Sequence, residues 1–224
     1  MTARLRLAQL DCDGTLVDSR HSIVAAMSAA WATFGLGEPD PSAVRRSVGL
    51  PVVEAVARLL PDRPAAEHEE SGTRYREAFF ELRRSGDLQE PLYPGVREAL
   101  DALEAAGLLL GIATGKSRRG LVATLERYDL LDCFVTLQTA DDGPGKPNPH
   151  LALRALDEAG VEAADAVMIG DTVFDMEMAR AARIRGLGVA WGYHDTAELR
   201  AAGADAIAER FDDVPPLVTA MLGA

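Results

Sequence analysis

The residues able to do chemistry fall into four short clusters, far apart in the chain. Asp11-Cys12-Asp13-Gly14-Thr15 sets two carboxylates two positions apart. An extended backbone projects such a pair into one pocket, and Gly14 permits the tight turn that follows. Thr114-Gly115-Lys116 offers a hydroxyl and free backbone N–H groups, which suit a phosphate-like oxygen and equally suit a helix cap. Gly145-Lys146-Pro147-Asn148-Pro149 places a lysine before a proline-stiffened segment, so its ammonium is held with less entropy loss. Gly170-Asp171-Thr172-Val173-Phe174-Asp175 puts two acids four residues apart, close enough to address one region from a helix start. Each cluster alone has a plain structural reading as a turn or cap. Together they supply several carboxylates, an ammonium and a hydroxyl. Carboxylates gathered that closely repel one another unless a cation joins them, and an all-oxygen donor set suits a hard divalent ion, Mg²⁺ first. Such equipment fits phosphoryl transfer, where positioning and charge neutralisation do most of the catalysis.

The elements that must position these clusters follow from apolar spacing. Leu5, Leu7 and Leu10 predict a first strand that stops at Asp11. Ile23, Met27, Ala30, Trp31 and Phe34 fall at helical intervals between Ser19 and Gly35. Helices are also predicted over 52–60 and 65–84, and no strand is expected between about 19 and 86, so this stretch reads as a helical insert. From Pro94 onward short apolar runs (108–113, 134–137, 166–169, 187–190) alternate with helical patterns opened by prolines or closed by glycines. That alternation predicts an α/β fold with a parallel sheet covered on both faces. In such sheets ligands bind beyond the carboxyl ends of the strands, where all four clusters lie.

Composition narrows the partners. Thirty-five acids against 23 bases give a net charge of −12 over 224 residues, which argues against nucleic acid or an anionic membrane as the target. The two cysteines, Cys12 and Cys133, have no metal-ligand or redox spacing and are expected as reduced, buried thiols. Arg4, Arg6 and Asp11 interrupt any apolar run at the start, so a signal peptide is not expected, and a soluble, cytoplasmic protein is.

The string Asp11 to Ser19, with Thr114, Lys146 and the Asp171/Asp175 pair following in order, resembles the four motifs of the haloacid dehalogenase superfamily of phosphatases. Tyr93-Pro94-Gly95-Val96, Gly188 to Tyr193 and Gly203-Ala204-Asp205 resemble its phosphoglycolate phosphatase-like branch. The resemblance implies a Rossmann-like core (1–17 and 91–224) with an inserted α-helical cap domain (18–90). It implies Asp11 as nucleophile through an aspartyl-phosphate, and Asp13 as the acid and base. Mg²⁺ would be held by Asp11, Asp171 and the main-chain carbonyl of Asp13. Thr114, Gly115 and Lys146 would bind the phosphate, and Asp175 would support the metal and orient Lys146. Asp18 is assigned to local structure where the insert begins. Gly49-Leu50-Pro51 resembles the branch's specificity loop, and Arg45 or Arg46 is a candidate to pair with a substrate carboxylate. His21 reads as a surface residue near a hinge. The implied partner is a small phosphorylated metabolite, phosphoglycolate first, for a monomer or homodimer. A phosphomutase of the β-phosphoglucomutase type is the alternative, although Thr15 favours hydrolysis; a non-catalytic phosphate-binding module is the other.

Overall fold

The protein is described here by a computed structural model covering residues 4–223. Six strands form one parallel sheet: β1 (Leu7–Leu10), β2 (Leu109–Ala113), β3 (Thr136–Gln138), β4 (Ala166–Gly170), β5 (Arg185–Val189) and β6 (Ala206–Ala208), in the order β3-β2-β1-β4-β5-β6. The chain works outward from β1 to one edge, returns to β4 beside β1, and works outward again. The strand order therefore reverses between β1 and β4, the place where such sheets open a crevice. Leu10 stands beside Ile112 of β2 and Ile169 of β4, so the three central strands end level with one another.

Side chains of β1 and β4 alternate between two cores, as strand geometry requires. Leu7, Ala166 and Met168 pack with Leu151, Ala155, Met178 and Ala179 of helices α7 (His150–Ala159) and α8 (Val173–Ala182). Ala8, Leu10, Val167 and Ile169 pack on the opposite face. There they meet Leu100 and Leu103 of α5 (Val96–Ala105), Leu121 and Leu125 of α6 (Arg118–Arg127), and Val218 of α10 (Val214–Met221). Each fully buried leucine removes apolar surface worth about 2 kcal/mol from water.

Between β1 and β2 lie α1 (Arg20–Ala32), α2 (Pro41–Arg46), α3 (Val52–Leu59) and α4 (Ala65–Ser85), with no strand among them. Ile23, Met27, Val44 and Val56 form their shared core, with Trp31, Tyr75 and Phe79 packed against it. The two chain crossings into this helical body run side by side. Asp18 N–H donates to the Pro91 carbonyl at 2.8 Å, and Ser22 bonds both the Gln89 carbonyl and its N–H.

The expected α/β class and the run of helices within it are present. Details differ where propensity gave way to packing. Leu5 lies outside β1 and is half exposed, because β1 takes partners only from Leu7. Helix α1 ends at Ala32, short of Phe34, where Thr33 and Phe34 fold back onto Ala30 and Trp31. The strand expected from Phe134 begins at Thr136, after a 3₁₀ turn over Leu131–Cys133. Helix α8 starts three residues before Met176, at a Thr172/Asp175 capping box. Cys12 is buried as expected, whereas Cys133 is only partly so; both are free thiols.

Candidate active site

Asp11 follows the last residue of β1 and keeps the strand's direction through an N–H bond to the Ile169 carbonyl at 2.9 Å. Asp171 follows the last residue of β4. Thr114 follows β2, tied to the Gln138 carbonyl of β3 at 2.9 Å. Asp175, one helical turn beyond Asp171, closes the capping box on Thr172 with its Oδ2 and offers Oδ1 to the site. Lys146 arrives from the loop before α7. Its Nζ lies 2.9 Å from Asp11 Oδ1 and 2.5 Å from Asp175 Oδ1, with all three side chains sealed from solvent. Five of the predicted residues thus meet at one end of the sheet.

Glycines make this gathering possible. A methyl group at Gly14 would come within 2.3 Å of the Asp171 carboxylate, and one at Gly192 within 2.0 Å of Asp171 Cβ. A methyl at Gly170 would strike the Asp175 carboxylate at 2.3 Å. Asp171 is further fixed by the Thr15 hydroxyl on Oδ1 (2.8 Å) and the Tyr193 N–H on Oδ2 (2.9 Å).

Oxygens of Asp11, Asp171 and Asp175 all lie within 4.8 Å of one another. Burial, aided by Asp175, lifts the Asp11 carboxyl to about 6, although Lys146 and Thr114 pull it back. Burial and then the charges of Asp11 and Asp175 push Asp171 well above the usual carboxylate range. Burial disfavours charge on Lys146, but Asp11 and Asp175 outweigh it and hold the ammonium charged. A buried cluster of three carboxylates with one lysine is short of positive charge. Its donors are all oxygen, so the residues present fit a hard divalent cation such as Mg²⁺.

Asp13 takes a different course. Its Oδ1 accepts from Ser19 Oγ at 2.6 Å and from Lys116 Nζ at 2.7 Å, so its carboxylate stands outside the metal-like cluster. Lys116 also reaches Glu90 Oε1 at 2.7 Å, and Glu90 Oε2 accepts from Arg83 and Thr124. Burial works against the Lys116 charge, yet Asp13 and Glu90 raise its pKa. Glu90, Lys116, Ser19 and Tyr193 escaped sequence reasoning as site residues. Lys116 adjoins a recognised motif and Tyr193 lies in the Gly188 to Tyr193 run, but neither position signals a partner.

Asp11, Asp13, Thr114, Gly115 and Lys116 line one side of a cavity of about 630 Å³; α1, α3, α4 and the loop 47–51 line the other. Gly49, Leu50 and Pro51 are at the cavity, as expected for that loop. Arg45 is not among its lining residues, and Arg46 turns outward to pair with Glu198 of α9 (Thr196–Ala202) at 3.2 Å. The proposed arginine contact to substrate is therefore corrected: the arginines lining the cavity are Arg76, Arg83 and Arg119. Asp18 bonds Arg20 locally, as assigned, and His21 is exposed.

A parallel sheet reversing its order beside clustered aspartates, with a lysine between them and helices closing the cavity, defines an α/β protein with a carboxylate-rich candidate site. Comparison with known proteins then gives the family. A model of the haloacid dehalogenase-like hydrolase family matches residues 10–189, and the chain belongs to that family. "Probable phosphatase IndB" of Dickeya dadantii is 33% identical over 217 residues, covering 96% of this chain and 94% of that one. A phosphoglycolate phosphatase of Chromobacterium violaceum is 33% identical over 219 residues, covering 93% and 96%. The crystal structure of a hydrolase from Pseudomonas syringae superposes with a TM-score of 0.84 at 26% identity, covering 96% and 98%. Among the described residues no helix is long and apolar enough to cross a membrane.

Proposed function

We propose that the chain hydrolyses phosphate monoesters of small organic alcohols in two half-reactions on Asp11. The observation that carries this reading is the meeting of Asp11, Lys146, Asp171 and Asp175 at the ends of β1 and β4, behind a cavity that Asp11 and Asp13 line. Oδ1 of Asp11 is engaged by the Cys12 N–H at 2.7 Å and by Lys146, which leaves its second oxygen for attack. That oxygen bonds to phosphorus as the ester P–O bond breaks, giving an aspartyl-phosphate and an alkoxide. With substrate bound, Asp13 passes a proton to the departing oxygen. It then takes a proton from water, whose oxygen bonds to phosphorus and releases inorganic phosphate and the Asp11 carboxylate.

Thr114, the Gly115 N–H and Lys146 hold phosphoryl oxygens, which are electron-rich throughout. The carboxylates of Asp11 and Asp171, with the Asp13 carbonyl, would hold Mg²⁺, and Asp175, which fixes Lys146, would support it. When bound, the ion offsets the negative charge of carboxylates and phosphate together. The names of the relatives support phosphate release, and phosphoglycolate, the substrate in the Chromobacterium protein's name, is the first metabolite to assay. The test is release of inorganic phosphate from a generic aryl phosphate with and without Mg²⁺, for the wild type and Asp11→Asn. Turnover should vanish in the variant while its circular dichroism stays unchanged. Near-normal rates in Asp11→Asn would remove Asp11 from the chemistry.

A further inference from the structure

The cavity is large, mostly apolar, and poor in uncommitted charge. At about 630 Å³ it lies in the range that encloses a drug-sized ligand, far more than a phosphate with a two-carbon acid would fill. Its insert side is built from Ile23, Met27, Val44 and Leu50 together with Tyr75 and Phe79. The two rings stand 5.8 Å apart at 43°, leaving a tilted aromatic wall on α4.

Two of the lining cations, Lys116 and Arg83, are held by carboxylates, and the other two, Arg76 and Arg119, are exposed. Lys116 is shared between Asp13 and Glu90 and lies 5.1 Å from the centre of the Phe79 ring. Arg83 is held by Glu90 at 3.1 Å and Thr124 at 3.2 Å. Arg119 lies over the Phe80 ring at 4.0 Å. Arg76 is exposed, so it serves only the solvent edge. A substrate carboxylate close to the phosphate would be stripped of water beside Asp13 and Glu90, where the neighbouring cation, Lys116, is already shared between those two acids, and burying it there is unfavourable.

We infer that the alcohol half of the substrate carries a flat, uncharged ring system that packs against Tyr75 and Phe79, and that short acidic monoesters such as phosphoglycolate are poor substrates. This rests on the phosphatase reading above. Burial of a ring stabilises the complex in proportion to its apolar area, and the aromatic wall adds edge and offset contacts that an alkyl chain lacks.

The test compares naphthylethyl phosphate, ethyl phosphate and phosphoglycolate with the Mg²⁺-supplemented full chain. All three esters leave as primary alkoxides, so their ratio reports recognition more than leaving-group basicity. The expected kcat/KM for the naphthylethyl ester exceeds the other two by at least about 100-fold. Phe79→Ala should shrink the naphthylethyl-to-ethyl ratio about tenfold, and Phe79→Leu, the safer variant for folding, should shrink it less. Equal or better turnover of phosphoglycolate or ethyl phosphate overturns the inference, as does a ratio that neither variant moves. If no ester releases phosphate, the phosphatase reading falls. The inference is then decided by calorimetric binding of naphthylethylphosphonate against ethylphosphonate: tighter binding of the ring-bearing probe supports it and equal binding overturns it.

Discussion

Lys116 stands between Asp13 and Glu90, 2.7 Å from each, and its ammonium keeps two buried carboxylates from facing one another unscreened. Replacing it by Met leaves Asp13 without its cation, while Glu90 keeps Arg83, and breaking the buried pair costs about 3–5 kcal/mol. Urea denaturation should register that loss. Steady-state rates should show a fall in kcat of about 10- to 100-fold, because Asp13 loses the partner that fixes its direction. Asp171 gives the opposite result. Its carboxylate is raised by burial and by two like charges, and Asp11 moves from 3.8 to about 6. Groups raised on folding bind extra protons in the folded state, so metal-free protein loses stability as pH rises from 3.8 through about 6. Asp171→Asn should therefore raise the melting temperature of the metal-free protein at neutral pH, with a smaller gain at pH near 4, and should abolish the rise that Mg²⁺ causes in the wild type. Calorimetry at two pH values, with and without Mg²⁺, checks both signs. Three of the four motifs were legible because each directly follows a strand, where chemistry and chain direction coincide, and the lysine motif, in the loop between β3 and α7, was legible from its flanking prolines. Glu90 was not, since its value comes from meeting Lys116, 26 positions on, and Arg83 on α4. Arg45 looked suitable by type and by nearness to the loop, but charge type carries no direction, and the side chain is absent from the cavity lining.

At the level of elements, the loop after α2 sits directly on the core motifs. A methyl at Gly115 would meet the Gly49 carbonyl at 2.7 Å, and one at Gly145 would meet Pro51 Cγ at 2.4 Å. Leu50 and Ala55 pack on Phe174 of α8, adding an apolar pin to the same seam. Gly115→Ala should push this loop away and cut kcat/KM by about tenfold or more, since small displacements at a reacting centre are costly. Its melting temperature should change little, because no apolar core is opened. Rates and a thermal melt on the one variant separate these effects. Long elements with clear apolar spacing, such as α1, α4 and the central strands, were legible. Helix α2, helices α9 and α10, and β6 were not. β6 has three residues, too few for alternation to register, and takes only one partner at the sheet edge. Helix α10 opens on Val214-Pro215-Pro216, a pair of prolines that reads as a break until the first helical turn is seen to tolerate them.

Across the whole molecule, the ends of the sheet strands carry the clustered acids and the helical body lines the far side of the cavity. A ligand that binds only the folded protein stabilises it by mass action. Mg²⁺ at about 100 times its dissociation constant should thus add about 2.7 kcal/mol, readable as a rise in melting temperature that chelation reverses. Chelation should also end phosphate release; full activity in its presence would take the ion out of the reaction. The run of helices between β1 and β2 was legible because a stretch without strand character interrupts an otherwise regular alternation. The relative placement of the two bodies was not, since it depends on contacts such as His194 Nε2 with the Arg46 carbonyl at 3.1 Å and the Arg46–Glu198 pair. The paired crossings at Asp18 and Pro91 have one more consequence. Because the chain leaves and re-enters the sheet layer at adjoining points, 2.8 Å apart through one hydrogen bond, the layer is topologically complete without what lies between. That junction is a grafting point, where a foreign module with neighbouring termini would inherit the reacting groups and bring its own selectivity.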